Sequence, residues 1–417
     1  MFDQRFTSPE ARRHVKSLFL TERVDYLRHC ADQGYALSSL QKLAADLLLI
    51  QNLLGLATSS EPVDLAAIEA AVNWYVRYRQ QHSNYENCRR ARNRIFSCAV
   101  NWLRFLKRLR LPSVTLPPYQ PLKDDFADYL RVQKGLSEQT LRARSRYVED
   151  FLHGFFRNHG SLRQLTLADL EEATARKGRD DGISRPSLQQ YASGLRTFVR
   201  YAEIRGWCAQ GLATGVVSPR VYQGESLPRG PSWKDVQRLI ASIEGDRPQD
   251  LRDRAVLLLL TVYALRSGEV RALQLDNVDW ERNLLFIPRT KPRKTEPYPL
   301  SPTVGEAIVR YLQRARPRSS YREIFLTLRA PIRPLKGSAA IWQIVAKRAR
   351  ALNPPVTPPG PHALRHAGAT HLLEQGLSLK EIGDHLGHCA LNSTTRYAPV
   401  NLTGLREVAN LSLGGLL

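Results

Sequence analysis

The sequence predicts a mainly α-helical fold with one small β-hairpin, in which an extra helical N-terminal region precedes a helical domain and a mixed α/β domain. Three observations carry this. Apolar residues recur at helical spacing along most of the chain, as in SLQKLAADLLLIQNLLGL from Ser39 to Leu56. NLLFIPRTKPRKTEPYPLS, from Asn283 to Ser301, instead has two short extended runs around a charged turn, which is a hairpin pattern. Two breaks, LPPYQP (Leu116 to Pro121) and the Pro/Gly-rich stretch from Val216 to Trp233, stop helices and stiffen linkers. The expected division is a helical extension over residues 1–116, a helical domain over 117–215, a linker over 216–231, and a third domain with a tail over 232–417.

The 417 residues suffice for two or three domains with real cores, and a 43% hydrophobic content fits a folded chain. No stretch approaches about 18 uncharged apolar residues, so no membrane span is expected. The start, MFDQRFTSPEARRHVK, lacks an apolar h-region, so no signal peptide is expected. Lys and Arg total 61 against 39 acids, a net charge of +22. Folding does not need that surplus, and it costs self-repulsion, so it points to a polyanionic partner. Nucleic acid comes first. An anionic membrane surface is the rival, but the chain has no lipidation motif to go with it. The five cysteines (Cys30, Cys88, Cys98, Cys208 and Cys389) are scattered, with no CxxC pair. Disulfides and structural zinc are not expected, and a reducing cytoplasm is the natural home. His385, His388 and Cys389 lie close together but lack four-ligand spacing.

In the N-terminal region, helices are expected over residues 64–79 and 88–111 besides the first. From Arg77 to Arg110 there are ten basic residues and one acid, Glu86, with Tyr78, Tyr85, Phe96, Trp102 and Phe105 interleaved. This is either an amphipathic helix with a solvated basic face or a phosphate-contacting surface, with Arg89, Arg90 and Arg92 as candidate DNA contacts. The aromatics are expected to face the core. The next domain should hold helices over 124–133, 137–158, 166–175 and 184–206, with Ser137 and Thr166 as caps. RARSRY places Arg142 and Arg146 one turn apart, beside Arg144, on a face suited to phosphate. The third domain opens with helices over 233–243 and 251–263, and helices resume after Ser301.

The chemistry concentrates in that third domain. YALRSGEV places Arg266 at the end of an apolar helix with Glu269 three residues on, a spacing that alone reads as a surface salt bridge. The hairpin turn carries Lys291 and Lys294, which alone read as exposed lysines. GPHALRHAGATHLLEQG opens a helix with Pro361 in its first turn; His362 and Arg365 share a face, and His366 follows. Gly376 ends that helix and SLKE (Ser378 to Glu381) is a capping box for the next, which ends at Gly387–His388. LGHCALNSTTRYAPV then leads into a short helix carrying Tyr397, capped by Asn392 or Ser393. Two Arg, two His, one Lys and one Tyr suffice for a metal-free phosphodiester exchange. The guanidinium fork matches phosphate bidentately, the Tyr oxygen attacks, and a cation protonates the departing sugar oxygen.

In order and spacing, RxxE, the hairpin Lys, HxxRH, LGH and the following Tyr resemble the tyrosine recombinase (phage integrase) family. KGLSEQTLRARSRYVEDFL and SLQQYASGLRTFVRYAEIRGW resemble that family's helical core-binding (SAM-like) domain. The resemblance implies a core-binding domain and a mixed α/β catalytic domain, and a site-specific recombinase or integrase that cuts and rejoins DNA through a 3′-phosphotyrosyl intermediate, for a mobile element or a chromosome. It implies that Arg266 and Arg365 hold the scissile phosphate and that His362 contacts it and assists proton transfer. Lys291 would be the general acid for the 5′-hydroxyl, with Lys294 the competitor. His388 would hydrogen-bond a non-bridging oxygen, and Tyr397 would be the nucleophile. Glu269 would orient Arg266, and His366 would support the site from behind. No metal or cofactor is implied, because the phosphotyrosyl bond conserves the phosphodiester energy. The implied partners are double-stranded DNA, a homotetramer at the synapse, and an accessory recombinase or DNA-bending protein, in the cytoplasm at the nucleoid. The rivals are a type IB-like topoisomerase and a non-catalytic DNA-binding relative. Three prolines in the hairpin (Pro292, Pro297, Pro299) and Ala363, where relatives often carry an acid, depart from the family pattern.

Overall fold

The computed structural model describes Ser17 and residues 19–56, 61–82, 88–111, 116–221, 230–289 and 295–387. They form two compact units. One joins the described residues up to Leu111 with those from Gly230 onward, and the other holds those between Leu116 and Val221.

In the first unit, helices α1 (Leu20–Asp32), α2 (Leu37–Leu53), α3 (Leu65–His82) and α4 (Cys88–Phe105) enclose Leu27, Leu47, Ile50, Ile68, Ile95 and Trp102. Asp64 caps α3, its carboxylate accepting from the Ala67 N–H at 2.7 Å. The helix expected over 88–111 stops at Phe105, because Lys107 takes a left-handed φ of 55°. Leu109–Arg110 (β2) then pairs in parallel with Val63–Asp64 (β1). The expectation that the aromatics face the core holds for Trp102, which is fully buried. It fails for Tyr78 (46% exposed) and Phe105 (39% exposed). Tyr85 lies outside the described residues. This region is joined to the rest of its unit where the Ile332 N–H donates to the Gln33 carbonyl at 2.9 Å. Gly34, at φ 85°, makes the approach possible, since a Cβ there would lie 2.7 Å from Ile332 Cγ1.

The second unit is helical throughout: α5 (Gln120–Val132), α6 (Glu138–Phe155), α7 (Leu167–Arg179), α8 (Arg185–Ile204) and the short α9 (Leu212–Gly215). Phe126, Val148, Phe151, Leu195 and Phe198 fill its core. Ser137 and Thr166 cap α6 and α7 as expected, the latter in a full capping box with Asp169.

The remainder of the first unit is built on α11 (Pro248–Val262), which follows α10 (Trp233–Ala241). Residues 255–260 of α11 are buried on all sides, so this apolar helix forms the centre of the core. Then come α12 (Ser267–Ala272) and an antiparallel sheet of β3 (Val278–Asp279), β4 (Leu284–Pro288) and β5 (Thr295–Pro299), in that order. Thus a third short strand joins the expected hairpin. Pro297 and Pro299 sit on the edge strand, where a missing N–H breaks no ladder. Helices α13 (Pro302–Arg314), α14 (Gly337–Arg350), α15 (Pro361–Glu374) and α16 (Leu379–Leu386) complete the described residues. No helix among them is long and apolar enough to cross a membrane.

Candidate active site

Arg266 does not end the apolar helix, as its sequence position suggested. Ala264, buried at φ 46°, turns the chain sharply after α11 and leaves Arg266 as the N-cap of α12. A left-handed alanine costs on the order of 1–2 kcal/mol, and strain of that kind concentrates where a side chain must be aimed. Glu269, fully buried, receives the Arg266 N–H and its Nη1, each at 2.8 Å. The pair read alone as a surface salt bridge is therefore a buried carboxylate holding a half-exposed arginine.

Helix α15 presents its first two turns to the same place. Arg365 is 3% exposed. Its Nη1 donates to the Ala264 carbonyl and its Nη2 to the Leu386 carbonyl, the latter at 2.7 Å. Arg266 Nη2 reaches the next carbonyl along, Gly387, at 3.4 Å. Both guanidinium groups thus converge on the C-terminal end of α16, the negative pole of that helix and the point where the chain enters His388. His362 is exposed and His366 is buried beneath it. Their Nε2 atoms lie 3.0 Å apart, which fits one protonated and one bare nitrogen and so a shared proton.

Sequence reasoning missed Arg289. Its guanidinium is wholly buried at the end of β4. It donates to Glu269 (3.1 Å), Glu296 (2.9 Å), the Tyr298 hydroxyl and the His385 carbonyl (3.0 Å). Burial opposes its charge, but Glu269, Glu296 and Tyr298 outweigh that and hold its pKa above the ordinary arginine value. An alternating chain results, Arg266–Glu269–Arg289–Glu296, linking α12, the hairpin and α16. Gly387 follows from it. A Cβ at that residue, which has φ 60°, would lie 2.5 Å from Arg289 Nε. The signal was present in the period of two: Leu285, Ile287 and Arg289 face inward, opposite Tyr298 and Glu296.

The capping box of Ser378 and Glu381 fixes the start of α16, with the Glu381 carboxylate accepting from the Ser378 N–H at 2.8 Å. Lys291, Lys294, His388 and Tyr397, and the helix expected around Tyr397, lie outside the described residues.

His385 sits behind this site. Burial lowers its pKa from 6.5, against a hydrogen bond to the Val262 backbone and with the Arg289 and Arg365 charges; its Nε2 has no hydrogen-bond partner among the described residues. The folded state therefore keeps His385 neutral where the unfolded chain binds a proton. Its stability contribution is present above pH 6.5 and is lost as pH falls below that value. Denaturant unfolding at pH 7.5 and 5.5 should show a fall in stability that shrinks in His385→Gln; an unchanged pH dependence in that variant would contradict this.

Of the candidate DNA contacts, Arg142 and Arg146 are exposed, but Arg144 lines a groove of about 650 Å³ between α6 and α8. Tyr147, Gln189, Ser193 and Arg196 share that groove; Arg196 donates to the Val216 carbonyl at 2.7 Å and to Ser218 Oγ at 2.8 Å. In the N-terminal region Arg89 and Arg90 are exposed, whereas Arg92 bonds Asn73 and Glu69, both at 2.6 Å, and ties α4 to α3.

Two family models match. Residues 232–403 fit the phage integrase family and residues 124–206 its N-terminal SAM-like domain. The tyrosine recombinase XerD of Listeria innocua is 33% identical over 69% of this chain and 96% of its own length. The chain belongs to the phage integrase family. It is a tyrosine site-specific recombinase. A candidate integrase/recombinase of Sinorhizobium fredii, y4rA, is 37% identical to it over 68% of the recombinase and 69% of that protein. Among solved structures, the XerH site-specific recombinase in a post-cleavage complex with its palindromic difH substrate matches 85% of the recombinase and 98% of its own chain, at TM-score 0.54 and 16% identity. The Tn1549 transposon integrase in complex with circular intermediate DNA matches 69% of the recombinase and 98% of its own chain, at TM-score 0.52 and 17% identity. These structures share the fold, a helical core-binding domain with a catalytic domain.

Proposed function

We propose that the recombinase cuts and rejoins duplex DNA through a 3′-phosphotyrosyl link to Tyr397. The observation that carries this is the convergence of Arg266 and Arg365 on the Leu386 and Gly387 carbonyls, directly before His388. Two guanidinium groups so placed neutralise the charge that builds on the non-bridging oxygens during in-line attack. His362, backed by His366, contacts the phosphate and handles the nucleophile's proton. His388 donates to a non-bridging oxygen. Lys291, two residues beyond Arg289, protonates the 5′-oxygen as it leaves, and Lys294 is the alternative donor. Glu269 and Arg289 hold Arg266 in place. Because one ester replaces another, the energy is conserved and the strand is resealed by the reverse step.

Duplex DNA as substrate is supported by the net charge of +22, by the groove carrying Arg144 and Arg196 with Arg142 and Arg146 beside it, and by the DNA held in the XerH and Tn1549 relatives. Four protomers at a synapse would exchange strands in pairs, at the nucleoid, with an accessory recombinase or DNA-bending protein setting the direction. The test is to incubate the protein with DNA from its own element, denature in detergent and look for a covalent adduct. Wild type forms it and Tyr397→Phe does not; mapped attachment points name the target site. An adduct that persists in Tyr397→Phe contradicts the assignment. Relaxation of a plasmid lacking that site would favour a topoisomerase.

A further inference from the structure

We propose that the exposed face of α3, built on a stacked ladder of Trp74, Tyr78 and His82, is a second DNA-docking surface that grips duplex flanking the segment on which the active site works. It rests on the reading that the substrate is duplex DNA, and it concerns a region that neither family model covers.

The ladder is not core. Ile68, Val72 and Val76 bury the opposite face of α3, while Trp74 is 60% and Tyr78 46% exposed. Residues 74, 78 and 82 fall on one stripe of the helix. Their rings stack in sequence, Trp74 on Tyr78 at 5.5 Å and 15°, and Tyr78 on His82 at 4.3 Å and 26°. A His82 ring nitrogen lies 2.8 Å from the Tyr78 carbonyl and fixes the last ring. Large aromatics already held against one another lose little freedom on docking, and their contact area is preformed.

Charge selects the occupant. Arg77 on α3 and Arg89 and Arg90 on the first turn of α4 are exposed and form no ion pair among the described residues. The arginines of α4 that do have acids use them inward, Arg92 on Glu69 and Arg94 on Asp46. No acid occurs among the described residues between Ala70 and Leu111. The polar tips of the stripe are therefore donors: an indole N–H, a phenol O–H and guanidinium groups. Such a set matches the phosphate oxygens of a nucleic acid and repels most basic partners. Once the reaction site holds its DNA, the flanking duplex is tethered at high local concentration, so a modest second contact adds to affinity without a second partner.

The full-length chain is tested on two duplexes, the minimal target and the same target extended on both sides, at several salt concentrations. Wild type should bind the extended duplex about tenfold more tightly, or better. Trp74→Ala/Arg77→Gln/Tyr78→Ala should lose that gain and keep both its affinity for the minimal duplex and its adduct yield there. Arg89→Gln/Arg90→Gln should lower the salt slope on the extended duplex by about one for each phosphate that is no longer neutralised. A wild type with no length gain, or a triple variant that keeps it, overturns the proposal. Loss of self-association with the length gain intact would also overturn it, and assign the face to a second protomer. Adduct formation on the minimal duplex separates failure of this surface from failure of the recombinase reading.

Discussion

Arg365→Ala should abolish measurable strand cleavage while the protein still binds its target duplex. Removing one fixed donor from the site where charge develops costs about 10²–10³ in rate, and a doubly bonded guanidinium should sit at the upper end of that range. The substitution also acts on the fold. Arg365 is the donor to the Ala264 and Leu386 carbonyls, at the exit of α11 and the end of α16. Leaving a buried acceptor without its donor costs about 1–3 kcal/mol. Arg365→Lys should recover part of the stability and little of the rate, because an ammonium has no fork to span two carbonyls and a phosphate. Single-turnover cleavage and denaturant unfolding, measured on the same preparations, separate the two effects. A lysine variant near wild-type rate would contradict the bidentate role.

Arg289→Ala should be the most destabilising single change at the site. It removes from the fully buried Glu269 one of its two cations and leaves the partly exposed Glu296 without its partner, and breaking a buried pair from one side costs about 3–5 kcal/mol. Arg289→Lys, which preserves charge, is the informative variant. One ammonium cannot serve Glu269, Glu296, Tyr298 and the His385 carbonyl together. It should fold, bind DNA with unchanged affinity and cleave slowly, since Glu269 no longer holds Arg266 in one position and the hairpin bearing Lys291 loses its anchor to α16. Equal loss of binding and cleavage would instead mark Arg289 as a general structural residue.

Much of this was legible from sequence, for physical reasons that differ by element. Helices with one apolar face declare themselves by period, and the Ser378–Glu381 box and Gly376 mark boundaries through local chemistry that tertiary contacts do not override. Arg266 was recognisable by its spacing to Glu269, but not its place as a helix cap. That depends on a left-handed Ala264, a conformation that alanine does not advertise. Arg289 was hidden by its neighbours. A cation beside a charged turn reads as solvated unless the inward alternation of β4 is carried one residue further. On α6 the spacing of Arg142 and Arg146 marks an exposed face, and Arg144, with Thr140 and Tyr147, lines the groove toward α8 beside it. On α3 Tyr78 was expected inside, since large rings usually are, yet the core was already filled by Ile68, Val72 and Val76.

In the proposed mechanism Arg266 and Arg365 neutralise the charge of one phosphate. The most direct measurement is cleavage by wild type and Arg365→Ala of a target duplex whose scissile phosphate carries a methyl group in place of one non-bridging oxygen. That linkage has lost the charge that the proposed mechanism has Arg365 balance. Arg365→Ala, inactive on the natural linkage, should cleave the neutral one at a rate approaching that of wild type. An equal deficit on both linkages would contradict it and reduce Arg365 to a strut between α11 and α16.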